Sequence, residues 1–322
     1  MVKERTGNMT TIHDIAKKSG YSVSTVSRVL NQRHHVSETA RQTILQVIDE
    51  LDYQPNELAR HLSHGKTRQI GVVIPNTIHP FFTEILNGVV NAAFSTPYRI
   101  VILPSSYDEQ LEDTYLNQLQ RKAFDGLIFI SRASSLEKLT RYTQYAPVVC
   151  CENPDTSLLS AVYCDRLPAY LEVFHYLKQH FGQSIVLLMS RESDGSATSA
   201  LIVEAYEHVY GCPPKSHQII TGMMDETDGY QVAKDVLAKQ NEIQAVFANG
   251  DDIASGVLRY YDEQKQTPPL IVGQENQLSS RLLKFSTVDH HAYRIGQEAF
   301  RIVTSDNQPE QLEIPSQFIY RE

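Results

Sequence analysis

Residues 22–31, SVSTVSRVLN, set four hydroxyls and one arginine on a short amphipathic segment: Ser22, Ser24, Thr25, Ser27 and then Arg28. Helix surfaces ordinarily favour Ala, Leu, Glu and Lys. Serine and threonine compete for backbone hydrogen bonds and belong at caps. Ser22 suits an N-cap; the others ask for a different reason. Small side chains let a backbone come close to a partner, and hydroxyls suit phosphates and base edges. On these residues alone two readings stand: a helix pressed against a polar surface, and a weak helix facing solvent.

Other chemistries find little support. The four cysteines, Cys150, Cys151, Cys164 and Cys212, show no CxxC spacing and no paired histidines nearby, which argues against a metal site. Three of them lie in apolar, strand-like runs and read as buried free thiols in a reducing compartment. The chain has no GxSxG, Walker A loop, HExxH, or GxGxxG after a strand, and nothing pairs a nucleophile with a base. No cofactor and no catalytic residue is expected. The rival reading is an enzyme that uses acids such as Asp251 and Glu275 for proton transfer; a lone carboxylate in a cleft is more often a hydrogen-bond partner for a ligand.

The chain that must position these residues has 322 residues, enough for two or three domains, and 41% of them are hydrophobic. Its net charge of −9 is unevenly spread. Residues 1–68 hold 10 Lys+Arg against 7 Asp+Glu, and the rest hold 19 against 31. Five of the 12 histidines also fall in the first segment. A basic head on an acidic body suits a DNA-binding head better than a uniform enzyme. Charges at Lys3, Glu4, Arg5, Asp14, Lys17 and Lys18 exclude a signal peptide there, and no membrane span is readable, so a cytoplasmic protein is expected.

The head reads as three helices. TTIHDIAKKSG begins with Thr11 as cap and Asp14 three residues on, and Gly20 ends it. Ile12, Ile15 and Ala16 form its apolar face. After the turn SGYS comes the opening segment, with Val26, Val29 and Leu30 facing inward. Ser37 starts a third helix whose Ala40, Ile44, Val47, Ile48 and Leu51 recur at helical spacing. Helix, short Gly-containing turn, helix and a third helix make an all-α helix-turn-helix head. The polar face of the second helix then enters a major groove, where Arg28 can take a guanine edge with two hydrogen bonds. Pro55 can start a further short helix near Asn56, with Leu58, Ala59 and Leu62 as a narrow apolar stripe. Such a helix is marginal alone. It is either a plain linker or a hinge that becomes helical beside its twin on DNA, with Leu62 wedged between base pairs from the minor groove.

From Gln69 onward, the runs IGVVI, RIVIL, GLIFI, VVCC, IVLLM, AVFA and LIVG alternate with helical stretches. This is an α/β pattern with parallel sheets, long enough for two lobes.

The segment TIHDIAKKSGYSVSTVSRVLNQRHHVSETARQTILQVIDELDYQPNELARHLSHGKTRQIGVVIP resembles the N-terminal signature of LacI-family transcription regulators. The match is dense over residues 11 to about 75 and looser beyond. The resemblance implies that Ser22, Thr25, Ser27, Asn31, His35 and Ser37 contact phosphates and that Val23, Ser24 and Arg28 read bases. Ile12 is placed with the DNA-contacting residues too. Tyr53 and Asn56 match the hinge entry, and Ala59 and Leu62 its minor-groove contacts. The implied architecture is an N-terminal extension over residues 1–9, a DNA-binding domain over 10–55, a hinge helix and linker over 56–68, and a periplasmic-binding-protein-like effector and dimerisation domain over 69–322. Its lobes would be about 69–164 with 290–304, and about 165–289 with 305–322, joined by three crossovers. Met9 offers an alternative start; otherwise residues 1–8 are an arm.

For the cleft, the resemblance points to Phe81 as the lining aromatic, with Phe82 the other candidate and His79 in place of the usual asparagine. Asp165 stands at the usual acid of the first crossover. Glu152, Gly250, Asp251 and Glu275 stand at ligand-facing positions, although Asp252 reads as ordinary helix capping. The usual arginine is replaced by Ala200 in DGSATSALIVEAY, and Arg191 is the nearby substitute. A cleft with an unpaired Glu275 carboxylate would favour ligands that donate hydrogen bonds and disfavour phosphates and carboxylates, unless Arg191 swings in. The implied function is a repressor that binds a pseudo-palindromic DNA operator as a homodimer and is controlled by a sugar-like small molecule. The alternative is control by a protein partner, or no response to ligand.

Overall fold

The computed structural model describes residues 10–30, 35–53, 65–154, 156–240, 242–306 and 309–321. It divides into two compact units, residues 1–67 and 68–322. In the first, α1 (Ile12–Ser19), α2 (Val23–Leu30) and α3 (Glu38–Glu50) share one small core built on Ile15, Val26, Val29, Ile44 and Val47. The Asp14 carboxylate accepts from the Thr11 backbone N–H (2.8 Å) and hydroxyl (2.7 Å), which pins the start of α1 and holds the Asp14 carboxyl below its ordinary range. Gly20 ends the helix at φ 77°, a conformation that needs no Cβ. The expected three-helix head is present.

The second unit holds two six-stranded sheets. The first contains β1 (Gln69–Ile74), β2 (Arg99–Pro104), β3 (Gly126–Phe129), β4 (Val148–Cys150), β5 (Ser160–Asp165) and β11 (Gln311–Pro315) in the order β11-β5-β4-β3-β1-β2, all parallel. The second contains β6 (Ile185–Leu188), β7 (Ile219–Ile220), β8 (Ala245–Ala248), β9 (Leu270–Gln274), β10 (Ser286–Asp289) and β12 (Gln317–Ile319) in the order β12-β10-β9-β8-β6-β7; only β12 runs antiparallel. Central strands such as GLIF and AVFA are buried along their whole length, as helices on both faces of a parallel sheet require.

Lobe one carries α4 (Pro80–Ala93), α5 (Glu109–Gln120), α6 (Leu136–Tyr142) and α12 (Ala292–Thr304). Lobe two carries α7 (Leu167–Phe181), α8 (Ala197–Tyr210), α9 (Glu226–Asp235), α10 (Asp251–Gln264) and α11 (Leu278–Leu283). The chain crosses between lobes after β5, after β10 and between β11 and β12. This corrects the expected allocation of 305–322 to lobe two. Gln311–Pro315 extend the first sheet, with Gln311 opposite Ala161 and Ile314 opposite Cys164, so lobe one runs on through residue 315. Strands paired in register to β5 cannot belong to the other sheet.

Each lobe has one seam where two helices meet backbone to backbone. A Cβ on Gly88 of α4 would lie 2.0 Å from the Tyr293 carbonyl oxygen of α12, and one on Gly296 of α12 would lie 1.9 Å from that of Ile85. In lobe two, a Cβ on Gly229 of α9 would lie 2.0 Å from the Ile253 carbonyl, and one on Gly256 of α10 would lie 1.9 Å from that of Glu226. Side-chain-free positions on both partners allow this approach. No described helix is long and apolar enough to cross a membrane.

Candidate nucleic-acid interface and ligand cleft

On α2 the buried face is Val26 and Val29. Ser24 and Arg28 are exposed on the other side, while Val23, Thr25 and Ser27 are half-buried. The Ser22 hydroxyl accepts from the Thr25 N–H at 3.2 Å and lies 2.8 Å from the hydroxyls of both Ser24 and Thr25. Part of the hydroxyl cluster therefore starts the helix, and the rest is displayed. Ser37 caps α3 through the Ala40 N–H (3.3 Å), which leaves its hydroxyl at an exposed helix start beside exposed His35. Ile12 and Tyr53 are half-buried against the head core. Asn31, Asn56, Ala59 and Leu62 lie outside the described residues.

The cleft residues gather where the parallel strands of both lobes end, the place where open α/β sheets bind ligands. Lobe one contributes the start of α4. Phe81 is buried, and its ring stands edge-on to His290 at 6.0 Å; His79 lies 4.8 Å from the Phe82 ring. Lobe two contributes Glu275 at the end of β9. Its carboxyl is buried, hydrogen-bonded by the Gln277 amide, and faces His79 Nδ1 across the cleft at 3.7 Å, beyond hydrogen-bond reach. Burial pushes the Glu275 carboxyl up to about 8, with Asp251 and Asp252 adding to the rise. Burial, and then the Arg166 charge, pull His79 below its ordinary value. At neutral pH both groups are therefore mostly uncharged. Glu275 also sits at φ 92°, a left-handed conformation that a glutamate holds only where its surroundings impose it. Gly250, the residue before α10, is buried, and a Cβ there would approach Glu275 Oε2 at 3.9 Å.

Several expected residues are differently employed. Asp251 is fully buried and points into lobe two: Oδ1 accepts from the Thr287 hydroxyl (2.6 Å) and Oδ2 from the Gln277 N–H (2.7 Å). A Cβ on Gly273 would strike Oδ1 at 2.1 Å, so this placement depends on that glycine. Burial raises Asp251 to about 6 despite these bonds. The ligand role expected for Asp251 is thus replaced by an internal one. Glu152 accepts from the Ser131 hydroxyl (2.6 Å) and pairs with Arg132 at 3.2 Å. Ala200 is exposed on α8. Arg191 is exposed and lies over the lobe-one ring of Tyr107 at 5.7 Å, one of the contacts that span the lobes.

Among the described residues, Arg166 is a cation beside Phe81 and Thr198 that the sequence reading does not single out. It follows Asp165 at the first crossover. Its Nε donates to Cys164 Sγ (3.1 Å), its Nη1 to the Thr198 hydroxyl in the first turn of α8, and its guanidinium lies over the Phe81 ring at 5.1 Å. Behind it, the crossovers are tied together. His290 Nε2 lies 3.1 Å from Gln274 Oε1, which also accepts from the Tyr170 hydroxyl (2.6 Å). The Gln274 amide nitrogen donates to Ala248 O, so its oxygen is the acceptor and His290 Nε2 carries the proton. Nδ1 then accepts from Ser316 (2.9 Å), whose N–H donates to Asp165 O (2.8 Å). Burial and the nearby Arg166 charge keep His290 neutral.

A helix-turn-helix head followed by two parallel-sheet lobes with a cleft at their strand ends defines a DNA-binding regulator with a sugar-binding-like body. Residues 11–56 match the bacterial regulatory proteins of the lacI family, and residues 67–322 match the periplasmic binding proteins and sugar binding domain of the LacI family. The chain belongs to the LacI family of DNA-binding transcription regulators. Catabolite control protein B of Bacillus subtilis (strain 168) is 36% identical over 310 residues, which are 96% of this chain and 99% of that protein. A LacI-family regulator from Silicibacter pomeroyi shares the fold with a TM-score of 0.77 at 22% identity, covering 97% of this chain and 98% of its own. The lac repressor dimer bound to operator and the anti-inducer ONPF shares it with a TM-score of 0.79 at 20% identity, covering 98% of each chain.

Proposed function

We propose that this chain is a cytoplasmic repressor that binds a pseudo-palindromic operator as a homodimer and is controlled by a sugar-like small molecule in the cleft between the lobes. The observation that carries the reading is the convergence of His79, Phe81, Arg166, Thr198 and Glu275 from both lobes and a crossover on one place, in a chain that also carries a DNA-binding head. A ligand touching both lobes binds one lobe arrangement better than another and so shifts their equilibrium. The likeness to a lac repressor structure that is a dimer on its operator supports the dimer and the repressor role.

In the head, exposed Ser24 and Arg28 on α2 are the base readers, with Val23 beside them. Ser22, Thr25, Ser27, His35 and Ser37 are the phosphate group. Selection of bound DNA sequences should yield a two-fold-related site. Arg28→Ala should then relax preference at one base pair per half-site, a loss of about 1–3 kcal/mol per contact. Unchanged preference at every position would remove Arg28 from base readout. Ligand control is tested by operator affinity with and without candidate sugars; an affinity that no cleft-binding molecule alters would overturn it.

A further inference from the structure

We infer that the molecule taken by the cleft carries an anionic group, a carboxylate or a phosphate, and that Arg166 is the residue that receives it; this deepens the ligand-control reading above and rests on it.

Arg166 is held but not neutralised. A thiol, a hydroxyl and a ring face fix the plane of its guanidinium, and none of them carries a negative charge. Among the described residues, no carboxylate oxygen pairs with it within 4.0 Å. The acids around it are committed elsewhere. Asp165 accepts from the Leu167 N–H, Asp251 binds Thr287 and Gln277, and Glu152 pairs with Arg132. Glu275 is turned to Gln277 and His79; the Arg166 charge lowers its carboxyl, but burial outweighs this and holds it at about 8, so it is mostly protonated at neutral pH. A half-buried charge without a counter-ion is unfavourable, and an incoming anion relieves it.

The fork is also prepared for a planar or tetrahedral anion. Nε and one Nη1 donor are used internally, which leaves the Nη2 donors for a ligand, and a guanidinium fixed in its plane gives up little freedom on binding. Phe81 and Thr198, which touch the Arg166 guanidinium, lie in the first turns of α4 and α8, and helix starts favour negative charge. An unpaired, ionised Glu275 carboxylate would make the cleft hostile to phosphates and carboxylates unless Arg191 swung in. With Arg166 in place and Glu275 neutral, the sign is reversed.

The test uses the full chain at pH 7 and constant ionic strength. The probes are inorganic phosphate, and one pentose and one hexose each as free sugar, aldonate and terminal phosphate. Thermal unfolding and operator affinity are both read. The aldonate or the phosphate should raise the melting temperature more than its parent sugar, and comparing the two identifies the anion. Arg166→Gln should raise the half-saturating concentration on the order of tenfold or more. Arg166→Lys should fall between, since it keeps the charge and loses the fork. If Arg166→Gln does not fold, Thr198→Val, which releases Nη1 while keeping the charge, should weaken the same response. Equal stabilisation by free sugars and their anions, no stabilisation by any anion, or an anion response untouched by these variants would overturn the inference. An anion that stabilises through Arg166 yet leaves operator affinity unchanged would overturn ligand control and leave the anion site standing. A free sugar that alters operator affinity better than its anions would do the opposite.

Discussion

Glu275→Gln should make the stability of the body less dependent on pH. In the parent, burial holds the carboxyl at about 8 against 4.5 for an ordinary glutamate. Between these values the folded protein keeps a proton that the unfolded chain has released. Stability from this group is therefore complete below about pH 4.5 and is lost as pH rises toward 8. Other groups titrate in the lower part of that range. Asp251, raised to about 6, has the same sign, whereas His79 and His290, both lowered, make stability rise with pH up to their ordinary value of 6.5. From pH 6.5 to 8 the histidines still oppose Glu275, and the difference between parent and Glu275→Gln isolates the carboxyl, because the other groups are common to both. At about 1.4 kcal/mol per pH unit, the carboxyl can remove at most roughly 2 kcal/mol there. Glutamine keeps the shape and a neutral amide toward His79 and cannot ionise. Urea unfolding of parent and variant at half-unit steps from pH 6.5 to 8 measures the difference. Relative to the variant, the parent should lose stability steadily across the series. Parallel curves would show that Glu275 is already ionised in the folded protein, and the account of a neutral Glu275 beside a charged Arg166 would fall with it.

Asp251→Ala should cost roughly 2–4 kcal/mol, because it strands the Thr287 hydroxyl and the Gln277 N–H inside lobe two; a variant as stable as the parent in urea would return Asp251 to the cleft. Gly256→Ala should destabilise by about 1–3 kcal/mol or more, since its methyl would meet backbone atoms of α9 at 1.9 and 2.7 Å rather than a movable side chain. Calorimetry of the variant should show a lower melting temperature, and an unchanged one would mean that the seam opens at little cost.

The parts of the fold that sequence makes legible are those where apolar burial is continuous. The seven apolar runs of the body all became strands, and Ile15, Val26, Val29, Ile44 and Val47 of the head form its core. SAVYCD, STVD, QLEIP and QFI gave no such signal. They lie toward sheet edges or carry polar residues, and their pairing is settled by partners far away in the chain, as with Gln311 opposite Ala161. That long-range pairing is why 305–315 was assigned to the wrong lobe. In the cleft, Phe81, Gly250 and Glu275 were expected from the family resemblance, and each lies near the end of a strand. The direction of Asp251 was not, because an acid after a glycine reads the same whether it faces ligand or core. Gly273, which makes room for it, was the available clue. Arg166 carries no local signal, since an arginine after Asp165 at the start of a helix reads as an ordinary surface residue. Its importance comes from Phe81 and Thr198, 85 and 32 residues away in the chain, which only folding brings to it.

The paired glycine seams have a mechanical consequence. Helices in backbone contact have no layer of side chains between them, so at each seam a shift of one helix meets the backbone of the other directly. The two lobes are joined by three short straps at Arg166, His290 and Ser316, tied to one another through hydrogen bonds. The residue that grips Phe81 and Thr198 sits on one of those straps, so whatever it holds acts at the fulcrum.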